Sequence, residues 1–332
     1  MHFFAVLYNN SATNHQVKLF MLSILARHSS LLLILAAMLG FIFPTASAVI
    51  FPTLPYVLFF LMLFTLLGMK QRLLVELLTK SNIWLYACFH SIALTLISIL
   101  FAKALGANAS LTLAISAVGA TGSLFATPAI ARSVNLDPLK AMAMTIASTL
   151  LMPIVLYTNL LLFQDDNFTL DMHSYIQRLV IFIFGPMLFS AIFYRFTPHQ
   201  LLHRIHGKLS QVTIILVLAF PFGLIGSFRE VFDQSLSEGL LYLAIGIAIC
   251  TLYFIVGFLC YRRNGIDEAL LAAITSANRN VLLTFTVAGS YLGPDFLILM
   301  GAIQLPTYCL PMLVKWLNRY LSQNKVHKAI NS

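Results

Sequence analysis

The chain has 332 residues, 60% of them hydrophobic and only 9% charged, with a formal net charge of +9. A soluble domain carries about 25% charged residues, so this composition excludes a soluble globular enzyme and sets most of the surface against lipid. A hydrocarbon core about 30 Å thick needs roughly 20 apolar residues per helix. Backbone groups cannot stay unpaired in lipid, which restricts spans to helices or closed barrels. Long unbroken apolar runs, without strand-like alternation, select an all-α membrane protein.

Residues 1–17 carry no Lys or Arg, so the charged start of a cleaved signal is missing. The short stretch Val17 to Arg27 is bounded by Lys18 and Arg27 and reads as an interfacial helix, making 1–28 an N-terminal cytoplasmic or interfacial segment. Ser29 to Met69 is free of charge and too long for one helix; Pro44-Thr45-Ala46-Ser47 divides it into two spans. Further spans follow at about 82–102, 109–131, 140–163, 175–195, 211–228, 239–261, 267–291 and 296–317. The pattern predicts about ten transmembrane helices within 29–321, followed by a cytoplasmic tail over 322–332. His199, His203 and His206 fall in a basic stretch between spans and read as solvated loop residues rather than metal ligands, so no metal is expected. Cys88, Cys250, Cys260 and Cys309 each lie in an apolar run, without a C-x-x-C pair, and read as buried small hydrophobes.

The charges fix an orientation. With both ends in the cytoplasm, sixteen of the twenty Lys and Arg residues fall on the inner side and only Lys103, Arg178 and Arg229 on the outer. That bias is the positive-inside pattern of a multi-pass protein of the inner (plasma) membrane. It also accounts for the net charge through topology, which leaves no basic groove for nucleic acid. Membrane lipids are the expected surroundings, around a monomer or homodimer.

Arg279 is the twentieth basic residue and lies deep. Ten uncharged residues precede it from Ala269, and fifteen follow to Pro294. A cation at that depth costs at least about 2.5–3.5 kcal/mol, so a partner, a polar cavity or an anionic ligand must offset it. One reading is a structural arginine bonded to the carbonyls of a broken helix; the other is a residue of a substrate or ion pathway, lining a polar cavity. Asn278 and Asn280 flank it with amides that serve the same purposes or simply bind helices together. Thr275 and Ser276 belong to the same interruption of span nine. Span four carries a matching one, Gly119-Ala120-Thr121-Gly122-Ser123, with Thr127-Pro128 beyond it. Spans five and ten hold internal prolines, Pro153 and Pro306 with Pro311. Interruptions in corresponding helices of two halves mark the binding site of inverted-repeat transporters, here with repeat one at about 29–163 and repeat two at about 175–317. His90, midway along span three, is a candidate proton carrier or a satisfied core histidine. No hydrolase, nucleotide-binding or zinc motif occurs, and all eleven acids fall in loops or at span ends, so no enzyme is expected.

The stretches Gly119 to Leu150, running into Ala147-Ser148-Thr149-Leu150, and Ala273 to Leu283 are similar to the bile acid:sodium symporter family, within the wider superfamily of bile, arsenite and riboflavin transporters. The resemblance extends from about Ser29 to Leu321. It implies ten helices in two inverted five-helix repeats, with the fourth and ninth helices broken and crossing, and transport of organic anions with sodium. It also implies that Thr145 matches a sodium-liganding Thr. The departures are specific. In the family's Glu-x-Gly-x-Gln-Asn motif, Thr275 stands at the Glu and Arg279 at the Gln, and only Asn280 is retained. Thr127 and Pro128 occupy the places of a Ser-Asn pair, and His90 that of a Gln. Losing a carboxylate and gaining a cation argues against the family's two-sodium chemistry; unit charges a few Å apart repel by about 4 kcal/mol at an effective dielectric near 20. The expectation is a secondary transporter of a small organic anion working by alternating access, with no cofactor and Arg279 as anchor. The alternative is a receptor that keeps the fold without transporting.

Overall fold

The computed structural model describes residues 29–163 and 171–330. The interfacial helix expected over 17–27 and the Asp165-Asp166 loop lie outside the described residues. The first helix, α1, covers Ser29–Ile42, and α2 covers Pro44–Leu67. Then come α3 (Gln71–Leu78) and α4 (Ser81–Ala104). The helices α5 (Ala109–Ala120) and α6 (Thr127–Ser133) follow, separated by a non-helical segment, and then α7 (Pro138–Phe163). The remainder comprises α8 (Met172–Phe196), α9 (His199–Gln234), α10 (Leu236–Tyr261), α11 (Ile266–Ala277), α12 (Val281–Ala302) and α13 (Gln304–Ile330).

Local chemistry sets several of these starts. The Asn108 side chain accepts from the Leu111 N–H at 2.8 Å to open α5, and Ser235 caps α10 through the Glu238 N–H. Asp171 caps α8 and accepts from the backbone of His173 and Ser174. The Ser174 hydroxyl and N–H hold its carboxyl below the usual carboxylate range. Pro294 is tolerated inside α12 because Gly293, at φ 73°, makes a kink just before it.

Burial is inverted relative to a soluble fold. Thr121, Ser123, Thr145, Ser148, Asn278 and Asn280 are fully buried, while Leu100, Leu188 and Phe196 are exposed. Seven stretches among the described residues are long and apolar enough to cross a bilayer. The protein is an all-α, multi-span membrane bundle. Expected spans two, three, five, six, seven and eight each form one such stretch. Span one is the 14-residue α1, roughly 20 Å at 1.5 Å per residue. Spans four and nine are split, and the apolar stretch of α12 continues into α13 as Val281–Asn318.

Two sequence expectations are corrected. His199, His203 and His206 lie on the first turns of α9, not in a loop, because α9 begins directly after Thr197-Pro198. Among the cysteines only Cys250 is buried; Cys88, Cys260 and Cys309 are exposed. An apolar run does not imply burial where the outer face of a helix meets lipid.

Helices α1, α2, α8 and α9 pack on one another, and α4 to α7 pack together beside α10 to α12, which carry the second break. Small residues permit the close approaches, as is general between membrane helices. A Cβ on Gly40 would lie 2.2 Å from the Phe222 carbonyl oxygen, so α1 runs almost backbone to backbone against α9. Gly40→Ala is expected to lower stability by about 1–3 kcal/mol through forced separation of these helices. Gly68→Ala, where an added Cβ meets nothing closer than 3.4 Å, should change it by less than about 0.5 kcal/mol. Thermal unfolding in detergent measures both.

Candidate functional site

The two breaks meet. After Ala120 the chain turns extended at Thr121 (ψ 137°), and after Ala277 it does so at Asn278 (ψ 85°). Ser123 and Arg279 then pair as an isolated antiparallel bridge. The Leu124 N–H donates to the Asn278 carbonyl at 2.8 Å, and the Asn280 N–H to the Gly122 carbonyl at 2.9 Å. Each break thus supplies partners for backbone groups that the other has freed, which is how unwound backbone survives at membrane depth. Gly122 is required here, since a Cβ would sit 2.8 Å from Thr149 Oγ1 and 2.9 Å from Thr149 Cα on α7. The same helix braces the segment through Ser148 Oγ, which accepts from the Ser123 N–H at 3.1 Å.

Arg279 is 2% exposed. Its Nη1 donates towards the carbonyls of Thr121 (2.8 Å), Gly119 (3.0 Å) and His90 (3.3 Å), and lies 2.8 Å from His90 Nε2. One nitrogen with two hydrogens is therefore shared among four acceptors. Two of these are carbonyls at the C-terminal end of α5, the negative end of its dipole. The guanidinium also lies over the Tyr253 ring, 4.3 Å from its centroid. Nε and Nη2, by contrast, are buried with no hydrogen-bond partner. No carboxylate pairs with Arg279 among the described residues.

His90 sits where α4 widens into a π-type turn over Phe89–Ala93, a local feature that often accompanies functional sites. Its Nδ1 lies 2.9 Å from the Tyr86 hydroxyl, which donates to Thr275 Oγ1 at 2.7 Å. Thr275 in turn donates to the Leu271 carbonyl at 2.7 Å. With Arg279 donating to Nε2, this network puts the imidazole proton on Nδ1, an assignment made from hydrogen bonding.

Thr121, Ser123, Thr127, Asn278 and Thr275, all named from sequence, gather around this crossing. Thr121 Oγ1 contacts Thr284 Oγ1 at 2.8 Å, and Asn278 Nδ2 donates to Thr127 Oγ1 at 3.1 Å. Ser276 Oγ lies 3.4 Å from the Tyr86 hydroxyl. Asn280 uses Oδ1 to cap α12 through the Leu283 N–H, leaving Nδ2 unpartnered. Thr145 joins only through its carbonyl, which accepts from Ser148; its own Oγ1 is buried without a partner. The Asn278 Oδ1 and Thr149 Oγ1 atoms are in the same state.

Arg279 does not line an open polar cavity, as the sequence led us to expect. Carbonyls released by the break in α5 come within reach and enclose it. Two cavities flank the crossing instead. One, of about 90 Å³, is almost wholly apolar, with Leu33, Ala126, Ile130, Val217, Asn278 and Tyr308 in its wall. The other, of about 230 Å³, is lined by Asn82, Tyr86, Lys140, Tyr261, Asn264 and Glu268. Lys140 and Glu268 form an ion pair of 2.5 Å across it.

Tyr86, Tyr253, Ser148 and Thr284 escaped sequence reasoning. Tyr86 carried a usable signal, since it lies one helical turn before His90. The others reach the site through space alone. No family model matches the chain, and no curated protein matches it.

Bracing by α7 is directly testable. Ser148→Ala strips the acceptor from a buried N–H and should cost about 1–3 kcal/mol. Ser133→Ala, which removes an exposed hydroxyl bonded only to its own helix, should stay within about 0.5 kcal/mol. Equal, small losses in thermal unfolding would show that the Ser123–Ser148 contact does not hold the break.

Proposed function

We propose that this protein is a secondary transporter that moves a small organic anion across the membrane by alternating access, on the ten-span plan of the bile acid:sodium symporter family. The observation that carries the reading is the divided state of Arg279. Its Nη1 is committed to the broken helix, while Nε and Nη2 are buried and unpartnered. Those two nitrogens share one edge of the guanidinium, the edge that pairs with a carboxylate through two parallel hydrogen bonds. An anion there would satisfy both N–H groups and neutralise a cation that has no carboxylate beside it. The apolar cavity against Asn278 is suited to the hydrocarbon part of such a ligand.

The inverted repeat finds support in matched detail. The helices before the two breaks, α5 and α11, each have 12 residues, and the segments after them pair antiparallel. The helices that follow span four and span nine, α7 and α13, hold Pro153 and Pro311. In this reading the conformation described is an occluded one, and rearrangement of the helices around the crossing exposes Arg279 to either side in turn.

Sodium has a reduced role in the proposal. Thr275 lacks the carboxylate that would balance it, and its hydroxyl is occupied by Tyr86 and the Leu271 carbonyl. Uptake of a panel of monocarboxylates into proteoliposomes should therefore be nearly equal in sodium and choline buffers. Arg279→Lys, which keeps the charge but loses the fork, should weaken the transported anion by at least about tenfold, since a charge-assisted bond is worth about 1.5–3 kcal/mol. Steep sodium dependence together with unchanged affinity in Arg279→Ala would overturn the proposal, and anion binding without flux would favour the receptor instead.

The positive-inside orientation, with cytoplasmic termini, is tested by labelling. A membrane-impermeant thiol reagent applied outside should modify Glu230→Cys and spare Arg263→Cys in a background freed of the native cysteines. The reverse pattern would invert the topology.

A further inference from the structure

The hydrogen bonds that begin at Arg279 return to the span they left. Nη1 donates to His90 Nε2 at 2.8 Å, and His90 Nδ1 lies 2.9 Å from the Tyr86 hydroxyl. Tyr86 donates to Thr275 Oγ1 at 2.7 Å, and Thr275 to the Leu271 carbonyl at 2.7 Å. The chain leaves span nine at Arg279, crosses to α4 and re-enters span nine on α11. All four side chains in it are buried.

Each hydrogen in this chain has one direction. Nη1 carries hydrogens and no lone pair, so Nε2 must offer a lone pair. The imidazole proton then sits on Nδ1 and goes to the Tyr86 oxygen, whose own hydrogen is committed to Thr275. The other neutral tautomer breaks the chain. A hydrogen on Nε2 would point at those of Nη1 across 2.8 Å, and its acceptor would be the Thr121 carbonyl at 3.1 Å. That carbonyl is one of the groups that hold Nη1. Nδ1 would take the Tyr86 hydrogen, and Thr275 would lose its donor.

We infer that Tyr86 is a positioning residue for the anion anchor, acting through the tautomer of His90. The inference rests on the reading of Arg279 as that anchor. The Tyr86 oxygen is the acceptor for Nδ1–H in a buried place, and a buried N–H left without an acceptor is costly. Without that oxygen the imidazole turns its hydrogen to Nε2, where the Thr121 carbonyl receives it. Arg279 keeps the Gly119 and His90 carbonyls and moves away from the new N–H. The guanidinium is a rigid plane, so displacing Nη1 displaces the Nε–Nη2 edge with it. Tyr86 thus keeps that edge set for a carboxylate without touching it, and donors set in advance bind more tightly than donors ordered on binding.

The test uses full-length protein in liposomes at about pH 8, labelled with ¹³C,¹⁵N-histidine and ¹⁵N-arginine, with no anion added. Solid-state NMR reports which ring nitrogen carries the hydrogen. The His90 and Arg279 signals are identified by their loss in His90→Gln and Arg279→Gln. The parent protein should hold His90 with its hydrogen on Nδ1. Tyr86→Phe should move that hydrogen to Nε2 and shift the Arg279 resonances. A hydrogen on Nε2 in the parent, or on Nδ1 in Tyr86→Phe, would overturn the inference. Benzoate, as the carboxylate probe, is then titrated against the Arg279 Nε resonance. Its apparent affinity should fall about three- to tenfold in Tyr86→Phe. His90→Gln, whose longer amide can offer an oxygen where Nε2 stood, should stay within about twofold, and adding Tyr86→Phe to it should change nothing further. His90→Asn, whose shorter amide reaches Tyr86 and not Arg279, should weaken benzoate as Tyr86→Phe does. An equal loss from Tyr86→Phe in both backgrounds would assign Tyr86 a structural role and overturn its action through His90. Benzoate that leaves the parent's Nε resonance unmoved, while Tyr86→Phe still turns the imidazole, would remove the anion anchor and leave Tyr86 as the residue that holds Arg279 in place.

Discussion

Two interrupted helices exchange hydrogen bonds in the interior of this bundle, and the rest of the site follows from that contact. In hydrocarbon an unpaired N–H or C=O costs several kcal/mol, so neither break is stable alone. Side by side, the Leu124 and Asn280 N–H groups find the Asn278 and Gly122 carbonyls. The bridge is too short to count as a sheet, yet it fixes the register of the two segments. It sets Ser123 opposite Arg279 and aims the guanidinium at the last carbonyls of α5. Gly122 and Ser148 then hold the pair against α7. Any motion of one broken helix must be answered by the other, or by replacement partners for the backbone groups it abandons.

The electrostatics of the crossing are unusual for a buried cation. Arginine in a membrane is ordinarily neutralised by a carboxylate or by water at the interface. Here carbonyl dipoles and the face of Tyr253 do part of that work. Dipoles stabilise a charge without cancelling it, so the region keeps a positive potential within a low-dielectric interior, where interactions are screened far less than in water. A second cation is disfavoured there for the same reason. Thr275 brings no carboxylate to the crossing, and its hydroxyl is taken up by Tyr86 and the Leu271 carbonyl.

Much of this was readable in the chain. The depth of Arg279 follows from the uncharged residues on either side, and the glycines and small polar residues of 119–123 and 275–280 mark both interruptions because helices tolerate them poorly. Against the ten spans expected, seven stretches among the described residues are long and apolar enough to cross; α1 and α5 are shorter apolar helices, and the apolar stretch of α12 continues into α13. What the sequence could not show was contact through space. Tyr253 is separated from Arg279 by a helix and a turn, and no periodicity links Ser148 to Ser123. Nor did the pattern reveal that α9 starts as early as His199, because polar residues permit a helix to continue beyond the membrane as readily as they permit a loop. Apolar runs misled at Cys88, Cys260 and Cys309 by the same logic reversed: in lipid, apolar means outward as often as inward.

Sequence reasoning set a structural arginine against a functional one, but the atoms of Arg279 divide between the two roles. Nη1 ends the broken helix, and that duty alone explains why a cation is tolerated at such depth. It does not explain a guanidinium whose other edge is left unpartnered, since Nη1 alone meets those carbonyls. Unsatisfied buried donors carry a standing cost of about 1–3 kcal/mol each. A fold that keeps two of them on one edge of one side chain is stabilised by whatever meets them. Because the opposite edge grips the crossing, filling or emptying the free edge alters the hold on α5 through the same rigid plane of atoms. A ligand at the free edge, as the proposed transport requires, would thus link binding and conformation within a single residue.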